Sequence, residues 1–212
     1  MSRTRKLILL AVITVLLITG LLVLSRNCPR AGLAFTAKAR ALHRLKNRTA
    51  LPQAVDFNQK ISLLELLRPG DDRSRWSTQQ AARIVAYVMD VAYARPEATN
   101  CFLPCRRDIH ILVAERPGVP QDEQVVIEVT PNLREWAAER GWDWSEASLR
   151  TQLLGHFCEF EGWMYFDVGH AEESENTAPH NASNWRATAW EIHPVTKFTV
   201  VPGVAKSTGP QK

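Results

Sequence analysis

AARIVAYVMDVAY, at residues Ala81–Tyr93, decides the fold. Apolar and β-branched residues recur in it with a period near two, which predicts a β-strand. Two stretches of the same kind follow, DIHILVAE at Asp108–Glu115 and QVVIEVT at Gln124–Thr130. Pro117 and Gly118 supply a turn between these two stretches. The sequence therefore predicts three consecutive strands.

A helical stretch and two more strands complete the predicted domain. The apolar residues of Leu133–Leu154 have helical spacing, with a break at Gly141. The fourth predicted strand is HFCEFEGWMYFD at His156–Asp167, and the fifth is Trp185–Val201. Gly162 predicts a bulge or a close backbone approach. The order β-β-β-α-β-β predicts a mainly β domain with a helix (α+β), an OB-like five-stranded barrel. Another small barrel or an α+β sandwich is the alternative.

The chain begins with an apolar run. Leu7–Leu24 carries no charge and would span about 27 Å as a helix, close to the thickness of the hydrocarbon core of a membrane. The basic segment Met1–Lys6 precedes it, and Ser25–Arg30 contains no small-x-small cleavage site. We therefore expect an uncleaved signal anchor that forms a single transmembrane helix.

Basic residues on both sides of this run leave its orientation open by the positive-inside rule. Ordinary signal anchors export the domain that follows, so we expect a single-pass membrane protein whose C-terminal domain is periplasmic or extracellular. The chain then divides into a basic N-terminus (1–6), the anchor (7–24), a basic connector (25–60), the OB-like domain (61–201) and a flexible tail (202–212).

Charge is divided unevenly along the chain. Residues 1–48 carry ten Lys or Arg and no acidic residue, which leaves 16 of the 26 basic residues against all 22 acidic ones in the remainder. Phosphate binding depends on Lys and Arg. An acidic domain of this kind makes nucleic acid an unlikely partner.

The cysteines favour export. Cys101 and Cys105 lie four residues apart in the loop-like stretch NCFLPC, and an exported chain permits disulfides. We expect a disulfide between these two, while Cys158, in an apolar strand, stays reduced and buried.

Carboxylates and imidazoles alternate along the predicted strands. Residues two apart on a strand point to the same face, so each of these strands presents one apolar face and one face that pairs an acid with a histidine. The candidate ligand-binding residues, with an aromatic residue of the fourth strand, are Asp108, His110, Glu128, Trp163, Asp167, His170, Glu191 and His193.

This combination allows either a divalent metal site or general acid–base chemistry. The sequence has no His-Glu-x-x-His, no Gly-rich phosphate loop and no serine elbow. We therefore assign no catalytic residue, no metal ligand and no cofactor, although a divalent metal ion fits these residue types. The alternative is that these side chains are solvated or structural.

A shared site is predicted from strand order. Asp108, His110, Glu128, Glu191 and His193 should lie near one another if any surface of the domain binds a ligand. Because Pro194 interrupts pairing, we expect His193 at a strand end and exposed to solvent. Two separate exposed acid–histidine pairs are the alternative.

The segments DIHILVAE, VVIEVTP, EGWMYFD and WRATAWEIHPV together resemble an uncharacterised family of bacterial, envelope-associated OB-like β-barrel domains. The resemblance covers roughly residues 62–200 and implies a fold, with no catalytic residue to carry over.

We expect a membrane-anchored, non-enzymatic binding or assembly module of the cell envelope. Seven tryptophans fit either a site for stacking or the filling of the core, which the sequence favours for Trp136 and Trp190. The expected partner is an envelope protein or a glycan. The alternative is a metal-assisted, phosphodiesterase-like hydrolase that uses the strand-borne Asp, Glu and His residues.

Overall fold

A computed structural model describes the backbone of residues 3–26 and 28–202, and the side chains of residues 5–20 and 28–202. The tail predicted at 202–212 lies outside this part except for its first residue. Within it are five α-helices: α1 (Arg3–Arg26), α2 (Ala37–Lys46), α3 (Leu63–Leu67), α4 (Pro131–Ala138) and α5 (Glu146–Leu153). The strands are β1 (Ala81–Tyr93), β2 (Ile109–Ala114), β3 (Val125–Val129), β4 (Phe157–Phe166) and β5 (Trp190–Val200).

The five strands close into a barrel in the order β1-β2-β3-β5-β4. β1 closes it, because the first half of this long strand pairs with β4 and its second half pairs with β2. β3 and β5 run parallel where Ile127 faces Ile192, while the other neighbouring strands run antiparallel. The predicted five-stranded barrel is confirmed, and the sandwich alternative is wrong.

The two helices between β3 and β4 correspond to the predicted helical stretch. Gly141, with a φ of 77°, ends the first half of that stretch as predicted. Ser145 caps α5 by accepting a hydrogen bond from the backbone N–H of Ser148, the usual role of a serine at a helix start. Leu133 of α4 and Leu149 of α5 are fully buried against the barrel core.

Gly162 allows β5 to pass close to β4. The pairing register shifts on both sides of this residue, and a Cβ atom here would overlap the Pro194 carbonyl oxygen and the Ile192 side chain. The predicted bulge and close approach are confirmed. The bulge also explains why Pro194 does not end the strand, since the N–H that proline lacks is not needed where the ladder is already interrupted.

Two predictions for the fifth strand are therefore wrong. β5 ends at Val200, within one residue of the predicted Val201, but His193 lies in its interior with a fully buried side chain rather than at an exposed strand end. The strand also begins at Trp190 instead of Trp185. The preceding residues bond elsewhere: the Ala187 N–H donates to the Gln124 carbonyl.

The disulfide prediction is also wrong. Cys28 bonds to Cys101, with 6.0 Å between their Cα atoms, and Cys105 is a free, exposed thiol. The reason is tertiary, because the connector folds back along the loop before β2 and brings Cys28 to it: the Leu33 N–H donates to the Ala98 carbonyl. Cys158 is free and buried, as predicted.

The apolar run forms helix α1. The described large apolar side chains between Leu7 and Ile18 are 44–68% exposed. Within the residues that the structure describes, no helix has the combined length and apolar character needed to cross a membrane. The last four residues of the predicted span, 21–24, lie outside the described side chains.

Candidate metal centre

Most of the predicted site residues meet on the outer face of the barrel. Ile109, Ile127 and Ile192 point into the apolar core, so their neighbours on β2, β3 and β5 point outward. His110 pairs directly with Glu128 across the β2–β3 ladder. The polar face predicted for these strands is therefore present. It is covered instead of solvated, since Glu128 and His193 are at most 1% exposed.

Glu128 is the centre of the group. Its Oε1 lies 2.9 Å from His110 Nε2, and its Oε2 lies 3.1 Å from His193 Nδ1. Burial alone would raise the pKa of Glu128, but the charges of His193 and His110 outweigh it and hold the pKa well below the usual value. Burial likewise opposes the charge of His110, yet Glu128 raises the pKa of that imidazole to about 9.

Glu191 orients the His193 ring. Its Oε2 lies 3.1 Å from His193 Nδ1, and its Oε1 accepts a 2.5 Å hydrogen bond from Arg186 Nη1. The other ring nitrogen of His193, Nε2, has no hydrogen-bond partner among the described residues. A carboxylate on one imidazole nitrogen with the other nitrogen left open is the arrangement that orients a histidine toward a metal ion.

Asp108 completes a set of three ligand atoms. Its Oδ2 accepts a 2.9 Å hydrogen bond from Asn100 Nδ2, while its Oδ1 has no hydrogen-bond partner in the described part of the chain. Burial, and then the negative charge of Glu128, raise the pKa of Asp108 to about 7. One ligand atom each from Asp108, Glu128 and His193 lies within 4.8 Å of the other two. Two carboxylates and one imidazole converging at this distance can hold a divalent metal ion.

These residues belong to a larger group, which we call the buried charge cluster: Lys46, Asp108, Glu128, Asp167, Arg186 and Glu191, with His110 and His193 between them. Burial opposes the charge of Lys46, but the carboxylates, Glu128 first, raise the pKa of Lys46 well above its ordinary value.

The cluster has an excess of negative charge. Its four carboxylates face two cationic side chains: Arg186, which is always charged, and Lys46, which the carboxylates keep charged. Two protonated histidines would balance this excess, and so would one divalent metal ion with both histidines neutral. Because buried charge must be compensated, the cluster takes up either protons or a cation.

The remaining predicted residues lie at the rim or outside the cluster. Asp167 Oδ2 lies 2.7 Å from His170 Nδ1, and the ring of His170 meets that of Trp185 edge-on at 5.6 Å. Trp163 is not part of the group. Its Nε1 donates to the Ala50 carbonyl, and Arg48 stacks on its ring, so it fastens the connector to β4.

Sequence reasoning missed several members of the site. Lys46 lies in a basic segment that resembled a solvated stalk, and Asn100 lies in a loop. Tyr165, whose ring centroid is 5.4 Å from that of His193, alternates with Trp163 on β4. Arg186, five residues before Glu191, suits the phosphate of a hydrolase substrate by its residue type, but its ion pair with Glu191 was not predicted.

The Asp167–His170 pair predicts a pH dependence of stability. The hydrogen bond with Asp167 raises the pKa of His170 above its ordinary 6.5, and the stability that the protonated ring contributes is therefore complete below that pH and lost as the pH rises through the raised value. We expect His170→Gln to destabilise the protein more at about pH 5.5 than at about pH 9. Denaturant titrations at both pH values measure this difference.

His180→Gln is the matched control. The His180 side chain is 93% exposed, so its replacement should leave stability near that of the parent protein at both pH values. A His170→Gln penalty that is constant or grows with pH would contradict the assignment.

No protein-family model matches this chain, and no curated protein matches it.

Proposed function

We propose that this chain is a membrane-anchored, non-enzymatic binding module of the cell envelope, and that its OB-like barrel binds one divalent transition-metal ion between Asp108, Glu128 and His193. One observation carries the proposal: these three side chains converge within 4.8 Å and are at most 1% exposed, and Asp108 Oδ1 and His193 Nε2 have no hydrogen-bond partner among the described residues. Polar atoms this deeply buried are normally paired, so a missing partner needs an explanation.

The donor set favours particular ions. An imidazole nitrogen with two carboxylate oxygens suits Zn²⁺ or Mn²⁺, whereas Mg²⁺ and Ca²⁺ prefer sites made of oxygen alone. In this arrangement Glu191 orients the His193 ring through its contact with Nδ1, and Arg186 donates a hydrogen bond to Glu191. The bound ion would supply the positive charge that the cluster lacks.

Burial is the reason for proposing a binding role. A substrate would need open access to the ion, and the ligand side chains are covered by the connector and by the segment that leads into β5. The second candidate, a metal-assisted hydrolase, is supported by the same Asp, Glu and His donors together with the nearby Arg186. Hydrolysis would require the covering segments to open.

Metal content tests the proposal. The full chain, purified in detergent and dialysed against Zn²⁺ or Mn²⁺, should retain about one equivalent of metal per chain by elemental analysis. Glu128→Gln should retain much less, and His180→Ala should behave like the parent protein because His180 is exposed. A chain that retains no more metal than its Glu128→Gln variant would refute the proposal. Cleavage of a generic phosphodiester that is lost in Glu128→Gln would favour the hydrolase.

Membrane attachment is supported by the helix that precedes the barrel. Soluble proteins bury the apolar side chains of a helix, and a helix that is apolar all round is typical of a protein core or a membrane. The described apolar residues of α1 from Leu7 to Ile18 are exposed on the helix, and the uncharged run continues in the sequence to Leu24. The exported orientation is supported by the disulfide between Cys28 and Cys101, since disulfides persist in oxidising compartments.

A charge in the middle of this run should release the protein from the membrane. Arginine at a helix centre costs about 2.5–3.5 kcal/mol of insertion free energy. We therefore expect Val15→Arg to shift the chain from the carbonate-resistant membrane fraction to the soluble fraction. Ala41→Arg adds the same charge at an exposed position of α2, and this variant should stay in the membrane fraction. Equal retention of the two variants would contradict an anchor at this position.

An aromatic cleft outside the metal site supports a second ligand for the module. A cleft of about 400 Å³ lined by Trp136, Trp142, Trp144 and Phe198 offers aromatic rings of the kind that stack on sugars, which supports a glycan or an envelope protein as partner. The acidic charge of residues 49–212 disfavours nucleic acid.

A further inference from the structure

We infer that residues 28–48, which we call the lid, cover the cation site, and that the Cys28–Cys101 disulfide locks this lid so that a bound ion exchanges slowly only in the oxidised protein. The inference rests on the proposed function for the occupant of the site. It adds a mechanism of retention that the ligand set alone does not provide.

The lid is joined to the loop at residues 97–101 near both of its ends. The Leu33 N–H donates to the Ala98 carbonyl over 2.8 Å, and Asn47 Nδ2 donates to the Thr99 carbonyl over 2.9 Å. Gly32 has a φ of 53° and lies so close to this loop that a Cβ atom would overlap the Ala98 and Thr99 carbonyl oxygens. Lid and loop therefore have to move together or separate completely.

The loop in turn holds one of the metal ligands. Asn100 is 2% exposed, and its side-chain amide donates to Asp108 Oδ2 over 2.9 Å. Cys101, the residue next to it, carries the disulfide to Cys28. The covalent bond that fixes the lid is thus one residue away from the group that positions Asp108.

The lid also contributes charge to the cluster. Lys46, at the end of α2, is 5% exposed, and its Nζ lies 2.9 Å from Glu97 Oε2 and acts electrostatically on Glu128, Asp167 and Glu191. An open lid would withdraw this cation, which leaves the carboxylates more negative and more attractive to an entering metal ion. A closed lid returns the cation and excludes water.

The disulfide decides how often the lid opens. A cross-link between residues 73 apart restricts the opened state far more than the native one, so the lid opens less often when it is intact. Reduction by a dithiol breaks the Sγ–Sγ bond, places one hydrogen on each cysteine sulfur and leaves the dithiol as a disulfide. A chain in a reducing compartment would exchange its ion readily, and the same chain after oxidation would retain it.

Release of the ion to a chelator tests the lock. The full chain in detergent is loaded with Zn²⁺ or Mn²⁺ and mixed with excess chelator, with the parent protein compared to the Cys28→Ser, Cys101→Ser double variant. We expect release from the double variant to be about tenfold faster or more, in line with the usual effect of a disulfide on opening. Cys105→Ser removes an exposed thiol outside the disulfide and should release metal at the parent rate.

A glycine pair tests the lid without changing the cysteines. Gly32→Ala should also accelerate release, because its Cβ atom would push the lid from the loop. Gly70→Ala places the same side chain at a φ of 100° with no atom within 4 Å, so it carries the backbone strain alone and should leave the release rate unchanged. Equal release rates in the parent, the double variant and Gly32→Ala would overturn the inference.

Amide hydrogen exchange separates this inference from the metal assignment. Opening of the lid breaks the hydrogen bond from the Leu33 N–H to the Ala98 carbonyl, so exchange of this N–H should speed up in the double variant with or without metal. If no variant binds metal but this exchange accelerates, the lock stands and the metal function fails. If exchange is unchanged, the lock is wrong.

Discussion

Arg186→Met is expected to lower the free energy of unfolding by about 3–5 kcal/mol, the usual cost of removing one partner of a buried ion pair. Arg186 and Glu191 both have fully buried side chains and share a 2.5 Å hydrogen bond. Methionine fills similar volume without charge, so the main effect is that the carboxylate of Glu191 loses its compensating cation. Equilibrium unfolding in denaturant measures the change.

Two comparisons make this prediction specific. Arg73→Met removes an arginine that pairs with Asp71 and Glu172 at the surface, and should cost no more than about 1 kcal/mol. Adding Glu191→Gln to Arg186→Met removes the uncompensated charge and should restore part of the lost stability. A loss below about 1 kcal/mol for Arg186→Met alone would show that the cluster compensates Glu191 by another route.

His193→Ala is expected to weaken Zn²⁺ or Mn²⁺ binding by about 100-fold or more, since outer partners alone typically change metal affinity 10–100-fold. The variant removes one of the three converging ligands and the only imidazole among them. Because His193 is fully buried, the thermal midpoint should fall as well, in contrast to what an exposed strand-end histidine would give. Titration calorimetry on the full chain measures the affinity.

Glu191→Gln is the informative partner of this variant. It keeps the ring of His193 in place but weakens the group that orients it, so we expect an intermediate loss of about 10–100-fold. His180→Ala should bind metal as the parent does. Unchanged affinity in His193→Ala would remove the imidazole from the site.

The sequence predicted the barrel because its strands obey local rules. Alternation at Ala81–Tyr93 matches β1 residue for residue, and Gly162 marked the place where two strands cross closely. The acid–histidine spacing on β2 and β5 also placed each pair on one face correctly. These features depend on period-two geometry, which is visible in a short window of sequence.

The cover over the site could not be predicted in this way. Lys46 reaches the cluster, and Cys28 reaches the loop before β2, only through contacts between distant parts of the chain, and each looked ordinary in its own segment. The strand face that was expected to be solvated is instead buried at its centre, where His193 is fully buried and Glu128 is 1% exposed. Local patterns predict the direction in which a side chain points, but not what covers it.

The closure of β1 onto β4 has a consequence for the folding kinetics. β2 and β3 can pair as a local hairpin, whereas Ala81 must find Trp163 and Ile127 must find Ile192 across long stretches of chain. Such non-local pairings form late, because the chain loses conformational entropy before the paired strands make stabilising contacts. Asp108 and Glu128 come together with the local β2–β3 pairing, whereas Glu191 and His193 join them only when β5 docks. We expect φ-values near zero for Glu191 and His193, so that substitutions there speed unfolding and leave the folding rate almost unchanged.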